Sequence, residues 1–237
     1  MNKVYIFDID GTLTPSRLRM TEKFAKFFDE WSSKNKYYLV TGSDLPKTEE
    51  QLPIAYTDRA EAIFTCCGNQ MWKDNKLVYD NKFELSTKLK NSLEVMLMSS
   101  QYKHRYGNHI EDRGSMVNFS IVGRNCTQEQ REEYYEWDKE KSERKKLSTF
   151  LKHKFKDLDA VIGGQISIDI YPKGNDKSQI LKHIWDKDNE YIFIGDGIDN
   201  KGNDFPLAES MNLKDNCSSY HTEGWEQTKQ ILEKLSD

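Results

Sequence analysis

Asp8-Ile9-Asp10-Gly11-Thr12-Leu13-Thr14 directly follows a short hydrophobic run, Val4 to Phe7. A β-branched and aromatic run that ends at carboxylates and a glycine is typical of a buried parallel strand that opens into a loop. Open α/β sheets bind ligands at the carboxyl ends of their parallel strands. Gly11 allows the chain to turn and to expose its N–H groups to phosphate oxygens. The stretch therefore predicts a ligand-binding loop at the end of a buried strand.

The residues after this loop alternate between helical and strand patterns. Aromatic residues at helical spacing predict a helix from Met20 to Ser33, and the apolar run Tyr37 to Val40 predicts a second buried strand. A helical stretch near Lys47 to Leu52 and a third strand at Ile63 to Thr65 follow. This order is typical of a doubly wound sheet.

A different pattern occupies the middle of the chain. Alternating polar and apolar residues from Asn108 to Val122 and from Ala160 to Tyr171 predict half-exposed antiparallel strands, with a long charged helical segment, Gln128 to Lys156, between them. The first pattern then returns as a helix at Ser178 to Trp185, a strand at Tyr191 to Ile194 and a final helix at Glu223 to Leu235. We therefore predict an α/β, Rossmannoid parallel-sheet core of residues 1–82 and 174–237 with an inserted α+β domain of residues 83–173.

Carboxylates follow two of the predicted strands. Asp8 and Asp10 follow the first strand, and Asp196 follows the strand that ends near Gly195. Neighbouring carboxylates repel unless a cation neutralises them, and carboxylate oxygens suit a hard ion such as Mg²⁺. The ion would offset the charge on both a carboxylate nucleophile and a phosphate group. We therefore predict a Mg²⁺ site at Asp8, Asp10 and Asp196 that serves phosphoryl transfer.

The motif at residues 8–14 resembles the signature of the haloacid dehalogenase superfamily of phosphohydrolases and mutases. The resemblance implies that Asp8 is the nucleophile that forms an aspartyl-phosphate and that Asp10 is the general acid and base. The other implied positions are the phosphate-holding Thr41, Gly42 and Lys177 and the metal-binding Asp196. The alternative reading makes Asp8 and Asp10 simple turn residues, but it leaves the complementary residues of the other segments unexplained.

The inserted residues resemble one particular family of this superfamily. The segments Asp112 to Cys126, Gln128 to Asp138 and Gly163 to Pro172 are similar to the cap domain of eukaryotic-type phosphomannomutases. This similarity implies that cap arginines hold the phosphate that is not being transferred and that a serine and an aspartate of the last cap strand contact the sugar. The matching substrate-binding residues are Arg17, Arg113, Arg124, Arg131, Ser167 and Asp169.

Arginine suits this task because its planar, permanently charged guanidinium binds phosphate through two donors. A mutase needs a second phosphate site, since a bisphosphate intermediate must present either end to the nucleophile. The alternative is that these arginines are surface residues paired with neighbouring glutamates. The sequence leaves both readings open.

Composition limits the classes of function. The 237 residues are 36% hydrophobic and 31% charged, which is the balance of an ordinary folded protein. The net charge of −4 gives no basic field for nucleic acid, and no apolar run approaches the ~18 residues that a membrane span needs. No signal peptide is predicted, and the four cysteines lack disulfide or zinc spacing. We therefore expect a cytoplasmic protein, and Cys66 and Cys67 receive no functional role.

The predicted function is interconversion of mannose 1-phosphate and mannose 6-phosphate in mannose metabolism, with Mg²⁺ and a hexose 1,6-bisphosphate activator. The resemblance also implies a homodimer formed through the cap. Three features differ from the family pattern: Cys66-Cys67-Gly68 replaces Glu-Asn-Gly, Thr41 replaces a glycine, and the stretch after Asp204, Phe205 to Ser210, aligns poorly with the family's second cation loop. A haloacid dehalogenase-type phosphatase, acting on sugar phosphates or on another small phosphorylated metabolite, therefore stays open. A third alternative is a catalytically silent sugar-phosphate-binding protein, although the intact set of Asp8, Asp10, Lys177 and Asp196 argues against it.

Overall fold

The computed structural model describes residues 2–198 and 202–236. The chain divides into two compact units. The core unit comprises Met1–Asp80 and Asp176–Asp237, and the insert unit comprises Asn81–Asn175. Each unit has its own sheet and its own hydrophobic core.

The described residues contain eleven strands: β1 Asn2–Phe7, β2 Lys36–Val40, β3 Ile63–Thr65, β4 Gln70–Lys73, β5 Lys76–Asp80, β6 Ile110–Asp112, β7 Val117–Ser120, β8 Leu158–Gly163, β9 Ser167–Pro172, β10 Asn189–Gly195 and β11 Cys217–His221. They also contain nine α-helices: α1 Glu22–Ser32, α2 Leu45–Gln51, α3 Ile54–Arg59, α4 Thr87–Ser99, α5 Gln128–Lys141, α6 Glu143–Lys154, α7 Leu181–Ile184, α8 Phe205–Asn212 and α9 Trp225–Ser236. Short 3₁₀ turns occupy Cys66–Gly68 and Lys177–Ile180. None of the helices described has the length and hydrophobicity of a membrane span.

The core unit is built on a seven-stranded sheet with the order β11-β10-β1-β2-β3-β4-β5. Strands β11 to β3 are parallel, and β4 and β5 add antiparallel strands at one edge. The predicted α/β class with a parallel sheet is confirmed. Phe7 of β1 pairs in register with Ile194 of β10, so the loops after these two strands begin at the same edge of the sheet.

Side chains of β1 alternate between the two faces of the sheet, as the strand geometry requires. Tyr5 and Phe7 join the cluster that includes the aromatic residues of α1, and the Phe7 ring lies 5.4 Å from that of Trp31 at an interplanar angle of 82°. Val4 and Ile6 join the cluster on the other face, where they pack with residues of α7 and α8. Burial on both faces holds the end of β1, and hence the loop that follows it, in place.

Several elements of the core unit carry no clear sequence pattern. The β4–β5 hairpin turns at Asp74 and Asn75, whose φ angles are 50° and 57°, and its strands are only four and five residues long with no buried residue. Strand β11 is half-buried along its whole length. Sequence periodicity did not predict these elements, because short strands without a buried face give no clear alternation of polar and apolar residues.

The insert unit contains an antiparallel four-stranded sheet with the order β6-β7-β9-β8. Apolar residues of β7 and β9, such as Phe119 and Ile168, pack with residues of α4, α5 and α6 in a separate cluster. The charged segment predicted as one helical stretch is two helices, α5 and α6. They separate at Ser142, which has the left-handed φ of 53°.

Candidate active site

Asp8 is the first residue after β1 and is buried. Its N–H donates to the carbonyl of Ile194 at 3.0 Å, which continues the ladder between β1 and β10 by one step. The N–H groups of Thr12, Leu13 and Thr14 all donate to the carbonyl of Ile9. The loop is therefore a tight turn held by repeated backbone bonds, which keeps Asp8 at the end of β1.

Gly11 lies at the tip of this turn with a φ of 79°. A β-carbon at this position would lie 2.5 Å from Oδ2 of Asp196, which is closer than any real contact. Glycine is favoured at residue 11 for two reasons: the backbone is left-handed, and a side chain here would displace the Asp196 carboxylate.

Lys177 connects two of the acidic residues. Its side chain is completely buried, and its Nζ atom lies 2.5 Å from Oδ1 of Asp8 and 2.6 Å from Oδ1 of Asp204. The other oxygen of Asp204 accepts a bond from the N–H of Gly197 at 2.9 Å. Both oxygens of Asp204 are thus engaged within the site, although the sequence analysis assigned this residue no role.

Asp8, Asp196 and Asp204 form a group in which one carboxylate oxygen of each lies within 4.8 Å of the others. The predicted metal ligand Asp10 is not in this group, and Asp204 is its third member. When all three carboxylates are ionised, they outnumber the ammonium of Lys177 and give this largely buried group a net negative charge. This donor set fits a hard divalent cation.

Burial is the main cause of unusual ionisation in this group. It raises the pKa of Asp8 well above its ordinary value, with Asp204 and Asp196 acting in the same direction and Lys177 opposing them. Burial and the charge of Asp204 raise the pKa of Asp196 to about 7. Burial alone would lower the pKa of Lys177, but Asp204 and Asp8 reverse this effect and raise it. The lysine is therefore charged at neutral pH.

The Asp10 carboxylate is held by residues outside the acidic group. Its Oδ1 atom accepts bonds from the N–H of Arg17 at 2.7 Å and from Nε2 of Gln51 at 2.9 Å, and its Oδ2 atom accepts from Oγ of Ser43 at 3.4 Å. Sequence analysis missed both Gln51 and Ser43. Ser43 directly follows the predicted pair Thr41-Gly42, which is a weak signal, whereas Gln51 lies in α2 with no pattern to mark it.

The predicted phosphate-binding residues Thr41 and Gly42 follow β2 at the same edge of the sheet. Thr41 is buried, and its Oγ1 atom accepts from the N–H of Ser43 at 3.0 Å. Its carbonyl accepts from the N–H of Cys67 at 2.9 Å. Cys66 and Cys67 both have positive φ values, 52° and 58°, so this loop is a tight turn against the residues after β2.

Arg17 is the remaining predicted substrate residue of the core unit. Its backbone is left-handed, with a φ of 65°. One guanidinium nitrogen lies 3.5 Å from Oγ of Ser43, which in turn contacts Asp10. Arg17, Ser43 and Asp10 therefore form one connected group at the end of the parallel strands.

The predicted sugar-side residues lie in the insert unit. Arg124 donates to Oγ of Ser167 at 2.8 Å, and Oδ1 of Asp169 accepts from Nδ2 of Asn118 at 2.7 Å. Ser167 and Asp169 are two apart on β9, opposite Ser120 and Asn118 of β7, so these polar residues share one face of the sheet. The structure therefore joins Arg124, Ser167 and Asp169 on one surface, with Asn118 as a member that the sequence did not identify.

The other two arginines of the insert unit have different partners. Arg113 forms an ion pair with Glu111, and its side chain is only 3% exposed. Arg131 is buried in α5, and its Nε atom lies 3.4 Å from Oε1 of Gln165. Both arginines are thus held in fixed orientations by neighbours within the insert unit.

Comparisons with known proteins point to one family. A profile of the eukaryotic phosphomannomutase family matches residues 24–236. The chain is 33% identical over 241 aligned positions to a phosphomannomutase of Encephalitozoon cuniculi, with 98% of this chain and 94% of that protein covered.

Solved structures at lower identity share the fold. The C-terminal domain of the C. albicans trehalose-6-phosphate phosphatase has a TM-score of 0.66 at 15% identity, covering 99% of this chain and 92% of that chain. A haloacid dehalogenase-like hydrolase of Bacteroides thetaiotaomicron has a TM-score of 0.59 at 14% identity, and the match covers 99% of this chain and 100% of that chain. At these identities the likeness concerns the fold alone, and it confirms the predicted haloacid dehalogenase-like class.

Proposed function

The chain belongs to the eukaryotic phosphomannomutase family, as its sequence pattern predicted, and on this premise we propose that it interconverts mannose 1-phosphate and mannose 6-phosphate. The observation that carries the proposal is the position of Asp8, which ends the central strand β1 and contacts Lys177 within a buried acidic group. A carboxylate held in this way can act as a nucleophile toward phosphorus.

Asp8, Asp196 and Asp204 are the residues that would hold a Mg²⁺ ion. Asp204 also holds Lys177 beside Asp8 through its Oδ1 atom. When bound, the ion supplies positive charge that offsets the repulsion between the Asp8 carboxylate and the substrate phosphate. In this proposal Asp10 transfers protons rather than binding the metal, since its oxygens accept bonds from residues outside the acidic group.

The proposed reaction has two halves. In the first half Asp8 already carries a phosphoryl group, Asp10 takes the proton from the 6-hydroxyl of bound mannose 1-phosphate, and that oxygen attacks the phosphorus while its bond to Asp8 breaks. The product is a hexose 1,6-bisphosphate, which turns around in the site. In the second half an oxygen of Asp8 attacks the 1-phosphate, the bond from phosphorus to the sugar oxygen breaks, and the Asp10 carboxyl donates its proton to that oxygen, which gives mannose 6-phosphate and the aspartyl-phosphate again. Added hexose 1,6-bisphosphate acts as an activator because it phosphorylates Asp8 in the same way.

Thr41, Gly42 and Lys177 are the proposed phosphate ligands. Lys177 brings a permanent positive charge next to Asp8. The Thr41 oxygen accepts from the N–H of Ser43, and its own hydrogen is available for a phosphate oxygen. Such fixed donors stabilise the charge that develops on the transferred group.

The insert unit is the proposed cap that recognises the sugar and its second phosphate. Arg113, Arg124 and Arg131 are assigned to the distal phosphate, and Ser167 and Asp169 are assigned to the sugar. Arg17, from the core unit, is assigned to the substrate as well. Neighbours hold each of these arginines in place, so little side-chain freedom is lost when a phosphate binds. We also propose that two copies associate through the cap and that nucleic acid is not a partner.

Hydrolysis is the competing function. Water that reaches the aspartyl-phosphate before the sugar hydroxyl would make the protein a phosphatase. The Cys66-Cys67 turn favours this possibility, because it differs from the family pattern and contacts Thr41 through the bond from Cys67 N–H to the Thr41 carbonyl.

The test uses mannose 1-phosphate, Mg²⁺ and a small amount of hexose 1,6-bisphosphate, with mannose 6-phosphate and free phosphate measured in the same sample. Mannose 6-phosphate without phosphate release supports the proposal, whereas phosphate alone identifies a phosphatase. An Asp8→Asn variant should lose both products, and turnover at the wild-type rate would overturn the assignment of the nucleophile.

A further inference from the structure

We propose that Gln51 is the positioning residue that aims the Asp10 carboxyl at the leaving oxygen. The inference rests on the proposed role of Asp10 in proton transfer. Gln51 is the last residue of α2, and its side chain is buried beside the loop that follows β1. Nothing in the sequence pattern assigns it a function.

The Nε2 atom of Gln51 has three acceptors around it. Oδ1 of Asp10 is the nearest at 2.9 Å, followed by Oγ1 of Thr14 at 3.2 Å and the carbonyl of Leu18 at 3.5 Å. Thr14 itself donates from this hydroxyl to the carbonyl of Ile9, so its oxygen faces Gln51 as an acceptor. The amide nitrogen must therefore point toward Asp10, because a flipped amide would place an oxygen against a carboxylate.

The amide oxygen of Gln51 supports this orientation of the side chain. Oε1 of Gln51 is buried and has no hydrogen-bond partner among the described residues. A buried amide oxygen without a partner is unfavourable, so the bonds made by Nε2 must outweigh this cost. A bond to a carboxylate is among the stronger ones available to a neutral amide.

Gln51 also holds the segment that carries Arg17. The backbone carbonyl of Gln51 accepts from the N–H of Met20 at 2.9 Å, and Nε2 reaches the carbonyl of Leu18. The N–H of Arg17 donates to the same Asp10 oxygen as Gln51 does. Gln51 thus holds both the Asp10 carboxyl and the backbone at Leu18 and Met20. The position of Arg17, which lies between them, is therefore coupled to that of Asp10.

A proton donor matters only for a poor leaving group. A sugar alkoxide is a poor leaving group and requires the proton from Asp10, whereas p-nitrophenolate leaves without one. A misaligned Asp10 should therefore slow transfer from a hexose phosphate and spare transfer from p-nitrophenyl phosphate. General damage to the site would slow both reactions, so the ratio of the two rates separates positioning from structural support.

The experiment compares Gln51→Met with the wild-type protein in the first turnover only, so that later release of phosphate from Asp8 does not contribute. Formation of the phosphoenzyme from ³²P-labelled mannose 1-phosphate is measured by rapid quench, and formation from p-nitrophenyl phosphate is measured by the burst of p-nitrophenol. We expect a loss of about 10- to 100-fold with the sugar phosphate and less than about 2-fold with the aryl phosphate.

Thr48→Val is the matched control, because Thr48 is buried on the same helix and its hydroxyl bonds only to the carbonyl of Asp44 in the described structure. It should leave both rates close to those of the wild type. Equal losses on both substrates in Gln51→Met, or no loss on either, would overturn the positioning role. This outcome is independent of the mutase assignment, which depends on the products of complete turnover rather than on the leaving group.

Discussion

The Nζ atom of Lys177 lies 2.5 Å from Oδ1 of Asp8, although 169 positions separate the two residues in the chain. Both side chains are buried, and the contact joins the end of β1 to the 3₁₀ turn at which the chain re-enters the core unit. The bond therefore depends on the complete core unit, on both sides of the inserted residues. It also supplies a positive charge where a phosphate would be attacked.

Replacing Lys177 by methionine should remove activity and lower stability together. The substitution leaves Asp8 and Asp204 buried without their cation, a change that typically costs about 3–5 kcal/mol in the free energy of unfolding. Urea denaturation without Mg²⁺ measures this loss. Lys34→Met is the control, because the Lys34–Glu30 pair is exposed and should contribute little to stability. Equal stabilities of the Lys177→Met variant and the wild type would contradict the importance of the buried contact.

Gly11→Ala should abolish Mg²⁺-dependent turnover. The new methyl group would lie 2.5 Å from Oδ2 of Asp196 and displace that carboxylate from the acidic group. Gly174→Ala is a matched control, since Gly174 has a φ of 84° and open space around its α-carbon. Both variants carry the backbone cost of a left-handed alanine, about 1–2 kcal/mol. Only Gly11→Ala should lose affinity for Mg²⁺ in a calorimetric titration, and a similar affinity in both variants would argue against the displacement.

The loss of stability with rising pH should be smaller with Mg²⁺ than without it. In the metal-free protein the pKa of Asp196 is about 7, above its ordinary value near 3.8. The folded state therefore binds more protons than the unfolded state, and the contribution of Asp196 to stability is lost as the pH rises from about 4 through 7. Mg²⁺ competes with the proton at this carboxylate, so its apparent affinity should fall about tenfold per pH unit below pH 7.

Thermal unfolding at pH 6 and pH 8, with excess EDTA or excess Mg²⁺, measures this coupling. The increase in Tm on adding Mg²⁺ should be larger at pH 8 than at pH 6. An Asp196→Asn variant should show a smaller increase, with a smaller difference between the two pH values, because proton competition then remains only at Asp8. An equal increase at both pH values in the wild type would contradict proton competition at Asp196.

The sequence was most informative where a residue type is fixed by local geometry. The buried strand β1 and the motif at residues 8–14 could be predicted because an apolar run, two carboxylates and a glycine each have a local cause. Strand β3, predicted at Ile63 to Thr65, has those same bounds in the structure. Such signals lie within a few neighbouring positions.

Long-range contacts were harder to predict. Gln51 reaches Asp10 across 41 positions, and no local pattern distinguishes it from an ordinary helical glutamine. The single helical segment predicted from Gln128 to Lys156 gave no sign of the break at Ser142, because serine rarely adopts the left-handed conformation that ends α5. These features arise from tertiary packing, which periodicity does not report.

The contact between Arg124 and Ser167 leads to a test of the proposed cap. Arg124→Ala removes a donor to Ser167 and the charge assigned to the distal phosphate. A bond from a charged group to a phosphate contributes about 1.5–3 kcal/mol, so kcat/KM for mannose 1-phosphate should fall about 10- to 100-fold. Turnover of p-nitrophenyl phosphate, which has no distal phosphate or sugar, should stay close to that of the wild type.

Lys145→Ala, an exposed change in the same unit, controls for the loss of positive charge and should affect neither substrate. Equal losses on both substrates in Arg124→Ala would place the arginine in the support of the fold rather than in recognition of the sugar phosphate.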